Sequence, residues 1–157
     1  MGVPSTSMQT PLGWWSKTSG ATDPTATVPT ATGRQTDKVA RVPSEPTRAL
    51  IAIPNPHPGR DYDVRCETPE FTCVCPVTGQ PDFATVTISY VPGPSIVELK
   101  SLKQYLWSYR DEPTFHEDVT NRMVDDLVAA IAPRRLSVRT DWLVRGGIHT
   151  VVEAAHP

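Results

Sequence analysis

Residues 83–110 read FATVTISYVPGPSIVELKSLKQYLWSYR, and within them the spacing of apolar residues changes character once. Up to Val91 the spacing is two. Ala84, Val86, Ile88 and Tyr90 alternate with Thr85, Thr87 and Ser89, as on a strand with one buried face. Pro92-Gly93-Pro94 stops that strand. Leu99, Leu102, Leu106 and Tyr109 then recur at steps of three and four, the buried stripe of a helix. Lys100, Lys103 and Trp107 fall on a different face of the same helix.

Working outward, TFHEDVTNRMVDDLVAAIAP carries a second helical stripe in Val119, Met123, Leu127 and Ile131, ended by Pro133. RRLSVRTDWLVRGG returns to alternation, with Leu136, Val138, Thr140, Trp142 and Val144 opposite the arginines. GIHTVVE adds a strand after the Gly146–Gly147 turn. Upstream, RALIAI and DYDVRCETPEF are shorter strand candidates. The order strand, strand, helix, helix, strand, strand predicts an α+β domain: an antiparallel four-stranded sheet with two helices on one face. A sheet of that size keeps two open edges, which predicts pairing with further copies of the chain.

Composition separates this domain from what precedes it. The chain has 157 residues, enough for one domain with a modest core, and its 17 prolines concentrate at the front. Residues 1–46 have no apolar period and cannot bury enough surface to offset their ordering entropy, so we expect a disordered Pro/Thr/Ser-rich tail there and a domain over 47–157. Within the tail, GWW at 13–15 is the one sticky spot, and MGVPST meets a loose lipidation pattern without a basic or second acylation signal behind it. No apolar run is long enough for a signal-peptide core or a membrane span. A formal charge of −2 argues against binding nucleic acid through its phosphates. Three cysteines, an odd number, argue against a disulfide framework and for a reduced, cytoplasmic setting.

The chemistry concentrates in FTCVCPVTGQPDF, residues 71–83. Cys73-x-Cys75 can offer two thiolates to zinc, yet the remaining donors, Cys66, His116 and His149, are scattered. The C-x-x-C spacing of a redox couple is missing. A single reactive thiol fits better: Pro76 holds Cys75 extended at a strand end, and Asp82 follows the Thr78-Gly79 turn as a candidate proton carrier. Each of these residues also has a plain structural role. Cys75 can be inert and Asp82 a turn cap; Thr114-x-x-Glu117 reads as a capping box, Glu98 suits a first helical turn, and two helical lysines suit a solvated face.

Taken together, FTCVCPVTGQPDFATVTISYVP, VELKSLKQYLWSYR, FHEDVTNRMVDDL and RGGI resemble the QueF family, the NADPH-dependent 7-cyano-7-deazaguanine reductases of queuosine biosynthesis, a tRNA modification pathway. The resemblance covers about residues 60–150, and Glu98, Lys100, Ser101, Lys103 and Tyr105 match the family's E-x-K-S-x-K-x-Y signature. It implies the tunnelling fold, whose subunits join edge to edge into oligomeric barrels with sites at their interfaces. It further implies that Cys75 attacks the nitrile carbon to give a covalent thioimide, that Asp82 donates the proton, and that two hydrides from NADPH yield the aminomethyl product. By position, Val97, Glu98 and Leu99 correspond to one substrate-contacting segment and His116 with Glu117 to another. Lys100, Lys103 and Arg145 would suit the NADPH phosphates, since no G-x-G-x-x-G loop exists here. Cys73 lies outside the motif as a bystander, although Cys66 or Cys73 could form a disulfide with Cys75 under oxidation. The short, single-module chain needs another copy of itself to complete the site.

Three rivals share the fold. An amidine-forming branch acts on the same nitrile in tRNA without NADPH; a cyclohydrolase uses zinc on a pterin; a binding module would keep Glu117 and need neither Cys75 nor Asp82. The Lys-Ser-x-Lys segment speaks against the first and the scarcity of Cys and His donors against the second.

Overall fold

In the computed structural model of the chain, described for Gly2 and residues 44–157, the elements are β1 (Ala52–Pro54), β2 (Val64–Val74), β3 (Pro81–Val91), β4 (Ser95–Val97), α1 (Leu99–Trp107), α2 (His116–Ile131), β5 (Arg135–Trp142) and β6 (Val151–His156). The expected tail over 1–46, with its GWW and MGVPST segments, lies outside the described residues apart from Gly2 and 44–46.

The strands predicted by alternation pair antiparallel in the order β2-β3-β5-β6, giving an α+β architecture. In register, Cys73 lies opposite Asp82, Ala84 opposite Trp142, and Tyr90 opposite Leu136. These residues share one face of the sheet. α2 covers β5 and β6 on that face, and α1 packs on β2. Phe71, Val86, Ile88, Met123, Leu127 and Val138 fill the space between, and removing such apolar surface from water contributes about 25 cal/mol per Å². The opposite face is polar, with Arg65 on Glu67 and Arg139 on Asp141 and Glu153.

Four local expectations need correction. Leu99 is 65% exposed and lies off the buried stripe of α1; the fully buried Tyr105 replaces it, its hydroxyl donating to Asp126 Oδ2 at 2.6 Å and pairing with the Tyr109 hydroxyl at 2.8 Å. Val144 is 65% exposed because β5 ends at Trp142. RALIAI contributes only the three-residue β1, which pairs with the equally short β4 in a separate two-stranded sheet. The capping box at Thr114 does not form: the N-cap of α2 falls one residue late, on Phe115, and the Thr114 hydroxyl turns to Asp118 Oδ2 at 3.1 Å.

The other end of α2 is seated closely. Ala132 closes the helix in the left-handed conformation (φ 43°), and a Cβ added at Gly93 would fall 2.2 Å from the Ala132 carbonyl oxygen. Only glycine permits that approach. Among the described residues, no helix is long and apolar enough to cross a membrane.

Candidate active site

The end of the sheet where β2 turns into β3 is where the chemistry-bearing residues gather. Cys75 and Gln80 close the turn between the strands: the Cys75 amide donates to the Gln80 carbonyl at 2.8 Å and the Gly79 amide returns to the Cys75 carbonyl at 2.9 Å. Gly79 takes φ +69°, a conformation open to glycine at no steric cost. Cys75 itself is half-buried. The Thr78 hydroxyl, the Thr78 and Val77 amides, and the Arg145 guanidinium all favour its thiolate, bringing the thiol down to about 7 against a smaller desolvation effect. Cys73, two residues back, is the contrary case. Burial, then the charges at Asp82 and Cys75, push it up to about 12.

Asp82 is only 6% exposed, and each of its oxygens faces a nitrogen-bearing side chain. Arg145 Nη1 pairs with Oδ1, and His116 Nε2 stands 3.3 Å from Oδ2. Arg145 Nη2 also donates to Thr78 Oγ1 at 2.5 Å and to Gln80 Oε1 at 2.7 Å. His116 is held flat against Trp142, ring centroids 3.7 Å apart and planes within 7°. One directional chain of hydrogen bonds maintains that stack. Trp142 Nε1 donates to Thr140 (2.9 Å), Thr140 pairs with Thr120 (2.7 Å), and the Thr120 hydroxyl donates to the His116 carbonyl (2.7 Å). The segment before α2 is tied to the same corner, since the Val74 amide donates to the Glu112 carbonyl and the Thr114 amide to the Val74 carbonyl, both at 3.0 Å.

Cys75, Asp82, His116 and Arg145 thus come together within one chain. Glu117 follows His116 on the exposed start of α2; its carboxylate pairs with no described residue, and its backbone carbonyl accepts from Asn121 at 2.8 Å. Val97, Glu98, Leu99, Lys100 and Lys103 form a second group at the start of α1, and no hydrogen bond or ion pair among the described residues links it to the first. Val97 is buried. Glu98 caps α1, accepting from the Lys100 and Ser101 amides at 2.7 Å each, and those contacts hold its carboxyl below the usual range. Ser101 completes the corner by donating to the Glu98 carbonyl (2.8 Å) and accepting from the Ile51 amide (3.0 Å).

Beside α1 lies a groove of about 460 Å³, lined by Leu99, Leu106 and Trp107 with Lys103 and Arg110 among them, and floored by β2, whose Glu67, already paired with Arg65, and Glu70 also face it. Apolar walls and an indole between cations suit a nucleotide cofactor, whose rings stack and whose phosphates need positive charge. Lys100 is exposed on the same turn of helix.

Sequence reasoning missed Thr78, Gln80, Trp142 and Arg110, and it set Arg145 among the lysines rather than on Asp82. Thr78 and Gln80 stand inside the quoted turn and were within reach. Arg145 was not, because its position depends on the β3–β5 register, fixed by the Leu143 amide on the Phe83 carbonyl at 2.9 Å. Among the described residues, no three His, Cys, Asp or Glu side chains converge as a metal centre.

Comparison with known proteins sets this geometry among relatives. A family model described as "QueF-like protein" matches residues 81–157. A curated protein of Anaeromyxobacter dehalogenans named "NADPH-dependent 7-cyano-7-deazaguanine reductase" is 64% identical over 115 residues, spanning 73% of this chain and 94% of that protein. One of the same name from Thermomicrobium roseum is 60% identical, over 73% and 90%. Among solved structures, the apo form of the archaeosine synthase QueF-Like is similar with a TM-score of 0.56 and 25% identity, covering 59% of this chain and 91% of that one.

Proposed function

The chain belongs to the QueF family, and from that premise we propose that it reduces the nitrile of 7-cyano-7-deazaguanine to the aminomethyl group at the expense of NADPH, supplying an intermediate of queuosine biosynthesis. The observation that carries this reading is an acidified, half-buried thiol at one end of a turn and a buried carboxylate just past its other end, with Arg145 beside both. A nitrile carbon resists hydride until a nucleophile has added to it. The Cys75 sulfur forms a bond to that carbon, one π bond of the nitrile breaks, and the nitrogen takes the thiol's proton through Asp82, giving a thioimide. When bound, NADPH would supply two hydrides, with the Cys75 sulfur leaving as thiolate between them. Asp82, flanked by His116 and Arg145, stands just past the turn that carries Cys75, where it can pass the thiol's proton on to the nitrogen as basicity develops there. Glu117, with an unpaired carboxylate, accepts from the amino and ring N–H donors of the deazaguanine. Lys100 and Lys103 meet the cofactor phosphates at the α1 groove. Arg145 was expected beside them, but its engagement with Asp82, Thr78 and Gln80 favours work at the reacting pair.

In this reading the domain over 47–157 has the tunnelling fold, works in the cytoplasm, and assembles through the open edges of β2 and β6 into an oligomeric barrel. Val97, Glu98 and Leu99 of one copy then complete the Cys75 site of another. Exposed Val77, Phe115, Leu143 and Ile148, on the segments that meet around Cys75, supply apolar surface for such an interface.

The test is incubation of the purified chain with 7-cyano-7-deazaguanine. The expected result is two NADPH oxidised per nitrile, a covalent adduct on Cys75 when cofactor is left out, and neither in Cys75→Ala. The similarity to an archaeosine synthase keeps a second reading in play, amidine formation from the same thioimide. An adduct that consumes no NADPH would favour it.

A further inference from the structure

We propose that Arg145 is a positioning residue for the nucleophile and acts through Thr78, fixing that hydroxyl so that its hydrogen is left for the Cys75 sulfur. The inference rests on the reading of Cys75 as the attacking thiol.

A threonine hydroxyl has one hydrogen to give and two lone pairs to accept with. Arg145 Nη2 donates to Thr78 Oγ1 at 2.5 Å and the Gln80 amide to the same oxygen at 3.4 Å, so both acceptor sites of Thr78 are engaged and its hydrogen is left over, in a hydroxyl that stands first among the groups favouring the Cys75 thiolate. The fork cannot swing away, because Nη1 is paired with Asp82 and Nη2 also reaches Gln80 Oε1 at 2.7 Å. Three anchors on one planar group demand a guanidinium; an ammonium is a point charge without that shape. The backbone of Arg145 is fixed independently. Its amide and carbonyl pair with those of Ile148 at 3.0 Å each, across a two-residue turn in which Gly146 and Gly147 take φ +56° and +79°. Such a turn matches the strand twist and calls for residues at ease with positive φ. The hairpin therefore delivers the guanidinium to the nucleophile's turn at a fixed reach.

The titratable and charged groups around the thiol are Cys73 on β2, Asp82 on β3, His116 on α2 and Arg145 on the hairpin. Of these four, only Arg145 is among the groups that shift the thiol. Thr78 contributes the largest lowering and Arg145 a small direct one. Removing the guanidinium should thus matter mainly by freeing the Thr78 hydroxyl to rotate.

The experiment is iodoacetamide labelling of the full-length chain from about pH 5.5 to about pH 9.5, with modification of Cys75 read by peptide mass. It needs neither nitrile nor cofactor, so it is decided separately from the reductase reading; a wild-type chain that forms no nitrile adduct would overturn that reading and leave this titration standing. Wild-type labelling is expected to have its midpoint near 7 and to slow about tenfold per unit below it. In Arg145→Gln the midpoint should rise by about one unit, slowing labelling at pH 7 about fivefold. Thr78→Val should rise at least as far, the double variant no further than Thr78→Val alone, and Arg145→Lys should behave as Arg145→Gln. An unmoved midpoint in Arg145→Gln, additive shifts in the double variant, or full rescue by lysine would each overturn the relay. Should Arg145→Gln fail to fold, Thr78→Val and Arg145→Lys, each checked by thermal melting, decide the matter on the same terms.

Discussion

Around Cys75 nearly every polar group has its partner inside the chain, whereas the first turn of α1 offers its charges to solvent. The Cys75–Gln80 turn is closed by two backbone bonds and by the Arg145 fork, and Asp82 is walled in by His116 and Arg145. Lys100, Lys103 and Leu99 stand exposed above an open groove that Glu67 and Glu70 also line, and the neighbouring Glu98 is occupied in capping the helix. Under the proposed reductase reading, the contrast suits different work at each end. A nucleophile and its proton carrier gain most from being held in place before substrate arrives, because misplacement there is felt directly in the barrier. Cationic side chains that catch phosphates can remain loose, since charge attraction tolerates small errors of position.

Disturbing the ordered end should therefore cost far more. The largest effect is expected for Asp82→Asn. Losing the proposed proton carrier should slow single-turnover adduct formation by about 10²- to 10⁴-fold, and a rate within threefold of the wild type would break the division between the two ends. Next, Thr140→Val removes the middle of the chain running from Trp142 to His116 and leaves a buried indole N–H without an acceptor. Urea unfolding should register a loss of about 1–3 kcal/mol. Loosening of the His116 stack should accompany it, read as a changed tryptophan fluorescence. The smallest effect is expected at the open end. Lys103→Ala should raise KM for NADPH about tenfold, the scale of one charge-assisted contact, with Cys75 labelling and thermal melting unchanged. A comparable loss in adduct formation without cofactor would merge the two ends into one.

The legible parts of the fold were those set by local pattern. β3 alternates because one face is buried under the helices, and the α2 stripe of Val119, Met123, Leu127 and Ile131 is buried as its period requires. Where local pattern and long-range pairing disagree, the sequence misled. Leu99 has the right period, but it is the first residue of α1, beyond the reach of the core that Tyr105 fills with help from Asp126. β1 and β4 are three residues each, too short for any period, and pair across more than forty residues of chain. The site divides the same way. Cys75 and Asp82 stand in one continuous motif, and the turn between them sets Cys75 against Gln80 and leaves Asp82 opposite Cys73. Arg145 depends on how β5 registers against β3, a fact no local window contains.

Gly93 has a bearing on the chemistry despite its place at the far end of α2. That helix has sixteen residues, a stiff rod of about 24 Å, and its first residue is the imidazole that stands against Asp82. At its last turn the Ala132 carbonyl rests where any carbon beyond the Gly93 backbone would have to go. The missing methyl group is in effect the fulcrum of a lever, and a bulkier pivot would be felt as a tilted histidine one helix-length away.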